Sequence, residues 1–108
     1  VLADIEDVPT LVFDEIDIGI GGRTAGVVGE KLHSLSDRRQ ILCITHLPQI
    51  ASRARLHLLI EKHETEGRTV TAVTPVEGDA RVQEIARMLG DTGESALRHA
   101  REMLEAVI

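Results

Sequence analysis

Aromatic residues are almost missing: Phe13 stands alone among 108 residues, with no tryptophan and no tyrosine. Any core is therefore aliphatic, and the chain offers almost none of the aromatic faces on which single-stranded nucleic acid stacks its bases. Cysteine is as scarce. The single Cys43 rules out an intrachain disulfide, and within the apolar run "ILCI" it reads as a small buried hydrophobe, as suits a reducing compartment. No apolar run is long enough to span a membrane, and no secretory signal is present. Val1 opens the chain without a methionine, so the function is expected to belong to a longer protein. Basic charge is in deficit too. With 18 acidic and 12 basic residues the net charge is −6, which argues against a dedicated DNA-wrapping surface but leaves room for a local basic patch.

What remains is ordinary globular material, 43% hydrophobic and 28% charged, enough for about one small domain with a modest core. Residues 1–6 read as the end of a helix stopped before Pro9. "TLVF" and "QILCI" are short continuous apolar runs, the usual form of parallel strands covered on both faces. Between them Ala25, Val28, Leu32 and Leu35 recur at helical spacing, which gives strand–loop–helix–strand and a right-handed crossover. After "LPQIASRA", the segments "RLHLLIEKH" and "RTVTAVTPV" flank "ETEG" and predict a hairpin, with Gly67 supplying a positive φ. Two helices close the chain. One carries the stripe Val82, Ile85, Ala86 and Leu89, the other Leu97, Ala100, Leu104 and Val107, with Gly90 as a C-cap between them.

Chemistry gathers where the first strand stops. "TLVF" runs straight into Asp14, Glu15 and Asp17, and "QILCIT" into His46. In open α/β sheets, sites form at the carboxyl ends of the strands, so two parallel neighbours would bring Asp14, Glu15 and His46 to one edge. Carboxylates at the mouth of a buried strand are costly to desolvate unless a cation or proton chemistry uses them. One can hold Mg²⁺ through its waters, and the other can deprotonate an attacking water. A nearby histidine can contact a terminal phosphate, which completes the parts for phosphoryl transfer to water. Against this stands the plainer possibility that a strand ending in acids is just a solvated strand end. The second strand, ending in "THLPQIA", tips the balance toward a site. His33, His57, His63 and His99 have no partner motif and read as structural or solvent-facing.

"DIGIGGRTA" comes next, a glycine-rich turn ahead of a helix. Such turns can present backbone N–H groups to phosphate. The G-x-x-x-x-G-K-[ST] spacing of a P-loop is absent, however, and so is GxGxxG. An EF-hand fails because Asp14 and Asp17 are wrongly spaced and Ala25 stands where a closing glutamate belongs.

"LVFDEIDIGIGGRTA" followed by "ILCITHLPQIA", with Glu15 and His46 31 positions apart, resembles the second half of an ABC/SMC-type ATPase head. The likeness is to the RecN family of bacterial DNA-repair proteins, and it extends to "VLADIEDVPTLVFDE" and "RVQEIARMLG". The resemblance implies an α/β fold: a partial P-loop-type lobe with a parallel two-strand core, a β-hairpin and two C-terminal helices. It implies that residues 1–108 form the C-terminal lobe of a split head, with "TLVFDE" as the Walker B strand. Asp14 would then be the Mg²⁺-side carboxylate, Glu15 the catalytic base and His46 the switch histidine that senses the γ-phosphate. "IGIGG", with Gly19, Gly21 and Gly22, matches the D-loop that meets an opposing head. Family members often carry Thr and Ser near this loop, where Ile18 and Gly21 stand here, so only backbone contacts would survive.

ATP and Mg²⁺ are the implied cofactors. The Walker A, Q-loop and signature motifs are absent from the chain and in the family lie earlier, before and after a long coiled coil, so the chain alone is expected to be inactive. The implied partners are the N-terminal lobe of the same head, a second head in an ATP-dependent dimer, and DNA through the full-length protein. The implied setting is cytoplasmic and nucleoid-associated, in double-strand-break repair. Two other classes stay open at this point. One is an independent metal-dependent phosphoesterase using Asp14, Glu15, Asp17 and His46, which lacks the further ligands of a two-metal site. The other is a non-catalytic dimerisation module.

Overall fold

The computed structural model describes residues 10–14, 21–90 and 93–106. The expected helix end at 1–6 and Val107 lie outside the described residues. The chain divides into two compact units, Val1–Ala54 and Arg55–Ile108.

In the first unit, β1 (Thr10–Asp14) and β2 (Gln40–Ile44) form a two-stranded sheet. They are parallel and in register from Thr10 beside Gln40 to Asp14 beside Ile44. Side chains alternate between faces along a strand. Leu11, Phe13, Ile41 and Cys43 share the less exposed face. The opposite face carries Val12, Leu42 and Ile44, which are 62%, 44% and 46% exposed. The apolar runs therefore do form strands, but only one face is shielded. Cys43 is half-buried rather than buried, because the inner face of so narrow a sheet has no neighbour strand beyond it among the described residues.

The crossover helix α1 (Gly22–Leu35) starts at an N-cap, Gly21, whose extended backbone leads into the first turn without a side-chain cap. Ser36 ends it by donating its hydroxyl to the His33 carbonyl at 2.6 Å. Two glycines, Gly26 and Gly29, lie inside this helix, each costing about 1 kcal/mol against alanine. One of them has a visible use. A Cβ on Gly29 would sit 2.8 Å from the Gln49 carbonyl oxygen and 3.0 Å from Arg53 Cγ. The missing side chain lets the short helix α2 (Pro48–Ala51) approach α1 closely. The small core of this unit follows: Ala25, Ile50 and Ala51 are buried between the helices. Leu35, expected on the inner stripe, is 39% exposed because it falls at the last residue of α1.

The second unit opens with the hairpin of β3 (His57–Thr65) and β4 (Arg68–Val76), antiparallel and paired from His57 with Val76 to Thr65 with Arg68. Strand β3 runs two residues further than "ETEG" suggests, while β4 begins at Arg68 as expected, leaving a two-residue turn. Glu66 and Gly67 both have positive φ, 51° and 76°. This is the backbone hand that matches the twist of the flanking strands. Helices α3 (Gly78–Met88) and α4 (Glu94–Glu105) pack on each other, burying Ile85, Ala86 and Ala100 completely. Gly90, with φ 98°, follows the α3 C-cap as expected. One residue breaks the stripe: Glu84 is only 9% exposed, held by Arg87 one turn on, whose Nε donates to Oε1 at 2.7 Å.

Candidate functional site

Parallel pairing fixes where the chemistry can gather. Asp14 ends β1 directly beside Ile44, the last residue of β2, and His46 follows two residues later. Neighbouring strands lie about 4.8 Å apart and rise about 3.3 Å per residue, so the Asp14 and His46 backbones stand within roughly 10 Å of each other. Both are exposed, at the same carboxyl edge of the sheet. Two of the expected site residues thus share one edge.

His46 is presented by a short, well-tied turn. Thr45 Oγ1 accepts a hydrogen bond from the Leu47 N–H at 3.0 Å, closing the chain over His46. Pro48 then opens α2, where its missing N–H costs nothing. The Leu47 carbonyl accepts from Ile50 and Ala51 at 3.1 and 3.0 Å, so the turn passes straight into helix. Neither Thr45 nor Pro48 stood out in the sequence as a positioning residue. The signal that could have found them is a hydroxyl two residues before a helix whose first position is proline.

The glycine loop is placed only at its downstream end. Gly21 is the exposed N-cap of α1, and Gly22 is its first residue. No acidic side chain occupies the first turn of α1, and nothing lies within 4 Å of a Cβ built on Gly21. Glu15, Asp17, Ile18 and Gly19 lie outside the described residues. Among the described residues, no three histidine, cysteine, aspartate or glutamate side chains gather to hold a metal. Asp14 offers one exposed carboxylate. That donor set fits an ion that keeps most of its waters, as Mg²⁺ does, and would not cage one that sheds them.

The remaining histidines divide as structure dictates. His33 and His57 are built into the packing, while His63 and His99 face solvent. Among the described residues no helix is long and apolar enough to cross a membrane.

A solved structure concerned with ATP-driven dimerization and DNA-stimulated activation of SMC ATPases superposes with a TM-score of 0.64. The match covers 85% of this chain and 55% of that one at 17% identity. The fold is therefore that of an SMC-ATPase lobe. No family model matches the chain. In sequence, however, the chain is RecN-like along nearly its whole length. It is 56% identical over 99 residues to the DNA repair protein RecN of Deinococcus radiodurans, which covers 91% of this chain and 18% of that protein. RecN of Treponema pallidum is 49% identical over 108 residues, 98% of this chain and 19% of that protein. RecN of Bacillus subtilis is 45% identical over 102 residues, covering 93% and 18%. The chain thus spans about a fifth of the length of the curated relatives it matches.

Proposed function

We propose that this chain is the C-terminal lobe of a RecN-like ATPase head, and that it contributes one side of an ATP-hydrolysing site. The observation that carries the reading is the register of β1 with β2, which brings Asp14 and the His46 turn to one sheet edge. The likeness to RecN proteins and the SMC-ATPase fold support it.

Asp14 would hold Mg²⁺ through the ion's waters, and the ion supplies neutralising charge to the phosphate oxygens. Glu15 accepts the proton of the attacking water. His46, fixed by Thr45 and Pro48, contacts the γ-phosphate from the neighbouring strand. Backbone N–H groups of the loop that carries Gly19, Gly21 and Gly22 would meet the opposing head. A P-loop-bearing N-terminal lobe and that second head complete the site, and the exposed face of Val12, Leu42 and Ile44 is suited to burial against the rest of the head. In the full-length protein the cycle would serve DNA double-strand-break repair at the nucleoid, in the cytoplasm.

The test is Glu15→Gln in the full-length protein. Glutamine keeps the shape but cannot take the proton, so turnover should fall by about 10²–10⁴. ATP binding and ATP-dependent head dimerisation should persist, because Asp14 is untouched. Asp14→Asn should instead weaken the Mg²⁺ dependence of binding. Turnover near wild type for Glu15→Gln would remove Glu15 as the base and with it the Walker B reading.

A further inference from the structure

His57 opens β3 and is only 9% exposed. Its Nδ1 is fully buried and has no hydrogen-bond partner among the described residues. It pairs across the hairpin with Val76, which brings no charge. The charges that act on the ring come from α3, which packs on the hairpin through β4. Arg81 repels a proton on His57, and Glu84 attracts one. Glu84 is already committed, since both its oxygens accept from the Arg87 guanidinium. On β3 itself, Glu61 acts on Arg87. Among the described residues, α4 adds no charge that acts on the ring.

A neutral imidazole is tolerable in this setting. A protonated one is not: both nitrogens become donors, Nδ1–H has no acceptor, and the new charge sits desolvated near Arg81. We propose that His57 is an acid-sensitive latch between the hairpin and α3, seating the helix while neutral and releasing it when forced to carry a proton. This does not depend on the ATPase reading, because the latch lies wholly within the second unit.

The direction of the effect is fixed. Burial first, and Arg81 second, hold the His57 pKa below its ordinary 6.5. The opened state, with an ordinary histidine, takes the proton first. Stability of the hairpin–α3 packing is therefore flat well above 6.5 and falls as pH drops below it. The opening equilibrium rises about tenfold per pH unit until the packed ring itself protonates.

Hydrogen exchange on the full-length protein at about pH 7.5 and about pH 5, corrected for intrinsic rates, reads this directly. Amides of His57–Thr65 and Gly78–Met88 should lose protection at the lower pH, and His57→Leu should abolish the loss. Arg81→Gln should shrink it by removing the repulsion, which serves as the second variant if His57→Leu does not fold. Equal protection at both pH values overturns the proposal, as does an undiminished loss in His57→Leu. On wild-type protein, His57 ring resonances should stay in the neutral form below 6.5. Titration at or above that value also overturns the proposal.

Discussion

His33 and Arg53, 20 residues apart, are joined by a hydrogen bond of 2.7 Å from the His33 Nδ1–H to the Arg53 carbonyl. A carbonyl can only accept, so the bond places a proton on Nδ1. It ties the last turn of α1 to the chain just after α2. Removing a part-buried partner leaves the carbonyl short of a donor. His33→Ala should therefore cost about 1–3 kcal/mol in denaturant unfolding. Arg53→Ala keeps the carbonyl and loses the stem contact at Gly29 and the 3.4 Å pair with Glu30, where both side chains are solvent-accessible. That change should cost under about 1 kcal/mol. Equal effects of the two substitutions would assign the stabilisation to the side chain of Arg53 instead.

Gly26 and Gly29 lie on the same helix but should answer substitution in opposite ways. Nothing lies within 4 Å of a Cβ on Gly26, so Gly26→Ala should gain up to about 1 kcal/mol from helix propensity. Gly29→Ala meets backbone at 2.8 Å and must push α2 away. Overpacking of this kind costs about 1–3 kcal/mol, more than the propensity gain returns. Thermal melts of the two variants should move in opposite directions.

Much of this architecture could be read directly from the chain. Both strands of the parallel pair announced themselves as apolar runs, and the hairpin and the two closing helices followed from alternation and helical stripes. The features that escaped have definite causes. Helix α2 is four residues long, too short to show a period. Glu84 is buried because a partner three residues on neutralises it, which a hydrophobic pattern does not register. The continuous apolar runs imply cover on both faces, but among the described residues nothing covers Val12 and Leu42. Of the candidate site, the meeting of Asp14 and His46 at one sheet edge follows from the parallel register expected of the two apolar runs. The Thr45 tie was not legible, because a hydroxyl bonded to a backbone two residues away leaves no periodic trace.

That tie can be tested. Thr45→Val keeps the shape and removes the acceptor for the Leu47 N–H. On the proposed role of His46, turnover of the full-length ATPase should drop roughly five- to tenfold, in line with about 1 kcal/mol for one lost hydrogen bond. ATP affinity should hardly change, and Thr45→Ser should restore turnover. A fall in affinity with unchanged turnover would separate the turn from catalysis.

The hairpin turn offers a gain of stability. Glu66 sits at φ 51°, a conformation that asparagine and glycine adopt far more readily than glutamate. Glu66→Asn should raise the stability of the second unit by about 0.5–1 kcal/mol, seen as slower amide exchange across β3 and β4. A loss would mean that the Glu66 side chain has a stabilising role that outweighs its backbone strain.

Gly29 has a mechanical consequence. With no gap between α1 and α2, and with His33 bonded to the Arg53 carbonyl beyond α2, the two helices have little slack. One end of this stiff piece is the glycine N-cap at Gly21, and the other is the turn that carries His46. The stretch from Gly21 to the His46 turn is thus clasped at two points, the close approach at Gly29 and the His33–Arg53 hydrogen bond.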